Sequence, residues 1–397
     1  MKNLTLITTR FPWPLTNGFA NKNYWLIKGL SDGYAIDLHV IQRAPVPKGD
    51  LDRIRGYCKS VNVYRPSLLN IAYGFFRALI KNEPIQFSLF YSSKAMRAIS
   101  LDIRTTDVAL FSVIRSAQYL PNNFFGPVVF DLADSLGQIY VRDATNFSFM
   151  KRLVYVEEGR RMIMYEKSIV KRANQIFFFN PNEAATYKSP KVAVVPHGVD
   201  SQLFDIENVD LRCSDGVVIF GKMNFEPNIQ AVLWFFNNVL NRLPSHIKLY
   251  VIGAEPSGHL LRLARLNQRV EILGFIENPY PLIKGAIANI SPIQMGGGIQ
   301  NKVIEGLAIG ALGLVSPLAA VPMKSIEASG LIICRTPEEW VSAIVQASVN
   351  PRFYDRNRLM GREYAKAHFS WEAYCKEVKA GIAGALEPVS FGGNSNG

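Results

Sequence analysis

Cysteine is scarce and scattered. The 397-residue chain has four, Cys58, Cys213, Cys334 and Cys375, with no CxxC pair. That argues against a cysteine zinc site and points to a reducing compartment, the cytoplasm. The five histidines (His39, His197, His246, His259, His368) are isolated. With neither HxxxH nor HExxH present, no metal site is expected. The chain also lacks a GxSxG elbow, a GxxxxGK[ST] loop and a GxGxxG after its first strand. Hydrolase, P-loop and dinucleotide-oxidoreductase chemistries are thereby disfavoured. No apolar run approaches the ~18–20 residues of a membrane span. Pro12 breaks the opening apolar stretch too early for a signal peptide.

What is present is globular. Hydrophobic residues make up 48% and charged residues 19%, a composition that supports large cores. At roughly 150 residues per domain, the length suggests two or three domains. The net charge of +12 is unevenly spread. Residues 1–200 hold 26 Lys+Arg against 15 Asp+Glu, a net +11, and residues 201–397 hold 18 against 17, a net +1. A field of this kind attracts nucleic acid, anionic lipid or a phosphorylated substrate.

Strand and helix patterns alternate throughout. In the first half, buried strands are expected at Leu4–Thr8, Asp37–Ile41, Val108–Ile114, Pro127–Leu132, Gln175–Phe179 and Lys191–Val195. Helices are expected at Asn23–Leu30 and Phe149–Arg172. In the second half, strands are expected at Gly216–Phe220, Lys248–Gly253, Val270–Leu273, Ile287–Ser291, Leu312–Val315 and Leu331–Cys334. This grammar predicts an α/β protein of two doubly wound, Rossmann-like domains facing a cleft, with ligands at the carboxyl ends of the sheets. The divisions are an N-terminal domain over 1–195, a second domain over 196–370, a returning helix over 371–387 and a disordered tail over 388–397.

The most informative stretch runs from Ser291 to Gly310. A strand ends, Gly296, Gly297 and Gly298 follow, and after Ile299 a helix begins near Gln300 and Asn301. Consecutive glycines let backbone N–H groups approach a ligand, and a helix N-terminus favours a diphosphate. Lys302 lies in the first turn, and Glu305 follows it at i+3, where a carboxylate can accept from two ribose hydroxyls. A plain alternative is a glycine loop with a solvated Lys–Glu pair. Lys222 follows the first strand of the second domain and is either a second anion ligand or an ordinary loop lysine. In the first domain, Asp131 and Asp134 end a buried strand, with Asp134 the better cleft candidate. The alternative is that one acid caps the next helix with Ser135. Gly18 lies in the turn after the first strand, where backbone N–H groups reach a ligand. The segment Tyr64–Lys81 is aromatic, aliphatic and basic. It reads either as a buried core helix or as a surface helix at a membrane interface.

In order along the chain, these residues resemble a glycosyltransferase of the GT-B fold, similar to glycosyltransferase family 4 and to the bacterial sugar transferases of exopolysaccharide, capsule and surface-antigen assembly. The resemblance is carried by Pro84–Ser92, Ala117-Gln-Tyr119, Asp131–Ser135, Tyr165-Glu166, Pro196–Asp200, Gly221-Lys-Met, Gly274-Phe-Ile276, Gly296–Glu305 and Phe369–Glu372. It implies transfer from a nucleotide sugar with retention of configuration, without a metal or other cofactor, the nucleotide sugar being a substrate. Glu305 would hold the ribose, Lys222 and Lys302 the diphosphate, and the glycine loop the sugar and phosphates. Phe275 and Ile276 would border the base. The sequence departs from the family pattern in two places. The first of two glutamates falls on Gly297, and Ala133-Asp134 stands where many members have His, so Asp134 is the candidate for that polar role.

The acceptor implied is a glycan or a polyprenyl-diphosphate-linked saccharide, and the basic first half implies peripheral association with an anionic membrane surface. No nucleic-acid partner is expected. A nucleotide-sugar epimerase and an inactive GT-B scaffold are the competing readings. The last helix, with Tyr374, Val378, Ile382 and Leu386 at helical spacing, is expected to pack on the first domain.

Overall fold

A computed structural model of the chain describes residues 1–15, 18–146, 148–295, 300–321, 323 and 325–387. The chain divides into two compact units. Unit 1 comprises Met1–His197 together with Tyr374–Gly397, and unit 2 comprises Gly198–Ala373. The tail over 388–397 lies outside the described residues.

Unit 1 is built on seven parallel strands. They are β1 (Lys2–Thr8), β2 (Tyr34–Ile41), β3 (Ser60–Tyr64), β4 (Val108–Ser112), β5 (Val128–Ala133), β6 (Gln175–Phe178) and β7 (Val192–Val194). Their spatial order is β3-β2-β1-β4-β5-β6-β7. Strands covered on both faces read as continuous apolar runs, and Leu4, Leu6, Ile7, Leu110, Phe111, Val129 and Phe130 are fully buried. The chain leaves β1 to one side for β2 and β3, then returns to the other side for β4. The switch point of the sheet therefore lies between β1 and β4.

Unit 2 has six parallel strands: β8 (Gly216–Phe220), β9 (Lys248–Ile252), β10 (Val270–Gly274), β11 (Ala288–Ser291), β12 (Gly313–Val315) and β13 (Ile332–Ile333). Their order is β10-β9-β8-β11-β12-β13, which puts this switch point between β8 and β11.

The strand missing from the sequence expectation is β3. It is a half-buried edge strand, and its Ser-Val-Asn-Val-Tyr lacks an apolar run. The last helix, Trp371–Leu386, enters unit 1 at Tyr374. Val378 and Ile382 are fully buried. Cys375 Sγ donates to the Trp25 carbonyl at 3.3 Å. A Cβ on Gly381 would come within 2.4 Å of the Phe177 ring.

Asp131 explains much of this clasp. Its carboxylate accepts from Lys22 Nζ at 2.8 Å and from the Tyr374 hydroxyl at 2.5 Å. All three side chains are buried. The pair thus joins the first helix, β5 and the last helix. Losing one partner of a buried ion pair leaves an uncompensated charge, a cost of ~3–5 kcal/mol. Asp131 is therefore a structural acid and not a cleft residue.

The helix Leu68–Lys81 is the main departure from a core reading. Ser67 caps it by accepting from Asn70 N at 3.2 Å, and Asn82 closes it in a left-handed conformation, φ 53°. It buries only Gly74 and Ala78. A Cβ on Gly74 would lie 3.0 Å from Ser88 Cα, so the helix rests closely on the turn Ile85–Phe90. Its small residues face the protein and its large apolar ones face outward: Leu68, Leu69, Phe76 and Ile80 are 76, 82, 63 and 85% exposed. Among the described residues, no helix is long and apolar enough to cross a membrane.

Candidate functional site

In unit 2 the sequence-predicted residues gather at the switch point. Lys222 lies two residues past the end of β8, and Lys302 lies in the helix Asn301–Ala308 that follows β11. Gly221 and Gly253 shape this rim. Gly253 has φ +155°, and a Cβ there would fall 1.7 Å from the Gly221 carbonyl oxygen. Only glycine lets these two strand ends meet.

Lys302 is buried. Its ammonium donates to Asn228 Oδ1, and among the described residues it forms no ion pair. Burial pulls its pKa down to about 8. Asn228, in the first turn of the helix Glu226–Asn238, donates from Nδ2 to the Lys222 carbonyl at 2.9 Å. One amide thus fixes the buried cation to the backbone of the loop that carries the other. Asn289 Nδ2 donates to the Lys302 carbonyl at 3.1 Å. Lys222 itself is exposed.

Glu305 is half-buried one turn further on. Burial raises its carboxyl pKa, and the Tyr280 hydroxyl, 3.4 Å from Oε2, acts to lower it. The alternative of a solvated Lys302–Glu305 pair does not hold, because Lys302 is turned into the protein toward Asn228. A buried cation and a half-buried carboxylate one turn apart, not neutralising each other, can serve a ligand that has both an anion and hydroxyl donors.

The remaining candidates are placed as follows. Gln300 is the N-cap of the Lys302 helix, without a side-chain cap bond, and Asn301 is its first residue. Phe275 is 74% exposed just past β10, and Ile276 packs on the unit 2 core. Gly296, Gly297, Gly298 and Ile299 lie outside the described residues. Gly18 is the first residue of the helix Gly18–Leu30 in unit 1, not part of a turn.

Asp134 belongs to unit 1 and is half-buried. Burial pushes its carboxyl pKa up, with His197 and Lys22 opposing the shift. Ala133 before it has φ +65°, a strained conformation for a residue with a Cβ. Ser135, not an acid, caps the helix Leu136–Asp143. Its N–H donates to Glu183 Oε2 at 2.5 Å and its hydroxyl to Glu166 Oε2 at 2.8 Å. Tyr187 donates to the same Glu166 oxygen.

Burial raises Glu183 to about 7. The folded state therefore holds this proton more tightly than the unfolded chain, whose glutamates titrate near 4.5. That contribution to stability is full below pH 4.5 and is lost as pH rises through about 7. Glu183→Gln keeps an oxygen for Ser135 N–H and removes the titration. Its melting temperature relative to wild type is expected to rise between pH 5 and 8. A pH-independent difference would exclude Glu183 as the titrating group.

Sequence reasoning missed two residues here. Tyr280 carries no motif signal. Asn228 carries none either, because its hold on Lys302 comes from a contact across 74 positions.

Residues 214–350 match the family described as glycosyl transferases group 1. A comparison with the curated proteins finds no match. Among solved structures, the chain resembles sucrose-phosphate synthase from Thermosynechococcus elongatus at 16% identity and TM-score 0.63, over 96% of this chain and 98% of that one. It resembles HepE of Anabaena, solved in complex with UDP, at 11% identity and TM-score 0.59, over 96% and 100%. It also resembles WaaG, a glycosyltransferase involved in lipopolysaccharide biosynthesis, at 13% identity and TM-score 0.56, over 96% and 99%. The two parallel sheets with alternating helices are the fold of the GT-B glycosyltransferases, and the match over unit 2 supports sugar transfer.

Proposed function

We propose that this protein is a retaining glycosyltransferase. It moves a sugar from a nucleotide sugar to a glycan or lipid-linked acceptor in bacterial surface polysaccharide synthesis, in the cytoplasm at the inner face of the membrane. The observation that carries the donor half is Lys302, a buried ammonium held by Asn228 at the switch point of unit 2 and, among the described residues, in no ion pair. Breaking a sugar–phosphate bond leaves negative charge on the diphosphate. Lys302 and Lys222 are the cations placed to stabilise that charge, and no metal or cofactor is required for it. Glu305 holds the ribose hydroxyls. Phe275 and Ile276 border the base, and the Gly296–Gly298 loop covers the sugar and phosphates. Asp134, with its raised pKa, is the polar residue of unit 1 assigned to the acceptor side.

Because HepE binds UDP, uridine diphosphate sugars are the first donors to test. Glu305→Gln is expected to retain the fold and lose 10- to 100-fold in donor affinity or turnover, the scale of a hydrogen bond to a charged group, ~1.5–3 kcal/mol. Wild-type turnover in that variant would remove Glu305 from the site. Proton NMR of the product's anomeric centre tests retention. Conversion of the donor sugar without an acceptor would instead identify an epimerase.

A further inference from the structure

The switch point of unit 1 carries a second set of cations that the donor site does not use. Thr8 of β1 pairs with Ser112 of β4. Arg10 lies two residues past the first, and Arg115 three residues past the second. The guanidinium of Arg115 stands 5.3 Å over the Phe90 ring, and its Nε donates to Gln86 Oε1 at 2.6 Å. Burial lowers its pKa, and Tyr140 opposes the shift. Among the described residues it meets no carboxylate. It is half-buried, and Arg10 adds like charge beside it. Val113, two residues before it, sits at φ +70°, an uncommon conformation for a β-branched residue.

Phe90 and Arg10 also line a pocket of about 630 Å³, together with Phe11, Trp13 and Arg43. Asp50 is the one acid among its lining residues. Among the described residues, Arg10 and Arg43 form no ion pair either. The pocket is firmly built. Gln42 accepts from Phe11 N–H at 2.7 Å and donates to the Ala44 carbonyl at 3.1 Å, which ties the β1 loop to the β2 loop. Asn23, fixed by Ser112, donates to the Arg10 carbonyl at 3.3 Å.

Guanidinium groups that form no ion pair among the described residues, beside aromatic walls at a sheet switch point, suit an oxyanion attached to a ring. The fork binds the oxyanion bidentately, and the aromatics take the apolar face of the ring. We infer that Arg115, with Arg10 and Arg43, forms a subsite for a phosphate or carboxylate group on the acceptor, adjoining an aromatic-walled pocket for its sugar. The inference rests on the glycosyltransferase reading for the word acceptor, but the binding itself is measurable without turnover.

The test titrates the full chain with three probes: glucose 1-phosphate, glucuronate and uncharged methyl glucoside. Binding is followed by calorimetry and by the fluorescence of Trp13, with Trp13→Phe as the control. At least one charged probe is expected to bind 10-fold or more tighter than methyl glucoside, weakening with salt. The tighter of the two identifies phosphate or carboxylate as the group. Arg115→Gln is expected to lose at least 10-fold of that affinity, and the exposed variants Arg10→Gln and Arg43→Gln each several-fold. If Arg115→Gln does not fold, the Arg10 and Arg43 variants decide. Equal affinity for charged and uncharged probes, or no effect of these arginine substitutions, overturns the subsite. Probe binding in a protein that transfers no sugar would sink the glycosyltransferase reading and leave the subsite standing.

Discussion

Lys302→Met is expected to lower turnover at least 100-fold while leaving the protein as stable as wild type or more so. The two effects have one cause. Lys302 is a buried cation that donates to a neutral amide, Asn228, so its desolvation is poorly offset. Replacing a poorly compensated buried charge by an apolar side chain of similar length is often neutral or stabilising. In the proposed reaction the same charge would face the leaving diphosphate, and removing one preorganised group of this kind costs ~10²–10³ in rate. A destabilising residue kept at a site is the signature of function over stability.

Titration offers a second readout. Burial pulls Lys302 down to about 8, whereas a bound diphosphate would raise it. Binding UDP at pH 8–8.5 is therefore expected to take up protons, seen by calorimetry in buffers of different ionisation enthalpy, and Lys302→Met should abolish the uptake. A variant that melts several degrees lower, turns over normally and still takes up protons would assign Lys302 to the scaffold.

Much of this architecture is readable from local pattern. The helix Phe149–Arg172 and the strand Gly216–Phe220 occur with the expected ends, because a long amphipathic run and a buried apolar run each fix their own limits. β3 is not readable in this way. A half-polar edge strand becomes a strand only by pairing with β2. At the candidate site of unit 2, the spacing of Lys302 and Glu305 after the glycine loop is local and legible. The burial of Lys302, the amide that holds it and the Tyr280 hydroxyl arise from distant segments. Asp131 shows the same limit. Its cleft-or-core ambiguity is settled by Lys22 and Tyr374, 109 and 243 positions away. Arg115 carries no motif at all, and its place beside Arg10 across the switch point comes from a segment 105 positions away.

Truncating Leu69, Phe76 and Ile80 together to serine is expected to lower membrane partitioning at least 100-fold without unfolding the protein. These side chains are 82, 63 and 85% exposed, so the fold does not depend on them. Each large apolar side chain removed from water contributes ~1.5–3 kcal/mol, and three together exceed the ~2.7 kcal/mol that corresponds to a hundredfold change. A contiguous exposed apolar face of this kind marks an interaction site. Arg65 and Lys81 flank it in the exposed state suited to anionic headgroups, at ~1 kcal/mol per basic residue near the surface. Arg77 is not part of that set, since it pairs with Glu83 at 2.6 Å and stands over the Tyr91 ring. A second exposed stretch opens the helix Phe149–Arg172, where Phe149, Met150 and Val154 are 72, 71 and 64% exposed beside Lys151 and Arg152. Glu158 of that helix accepts from Ile85 N–H and Gln86 N–H, both at 2.9 Å, so the turn that carries the helix Leu68–Lys81 also bonds this one. Wild-type protein is expected to co-sediment with vesicles containing phosphatidylglycerol, more weakly at high salt, and to bind neutral vesicles less. Equal binding by the triple variant would clear this face of the role, and equal binding to both lipids would remove the electrostatic part. A wild-type dimer in sedimentation velocity that the triple variant converts to monomer would show that a second copy of the chain, not lipid, covers the helix.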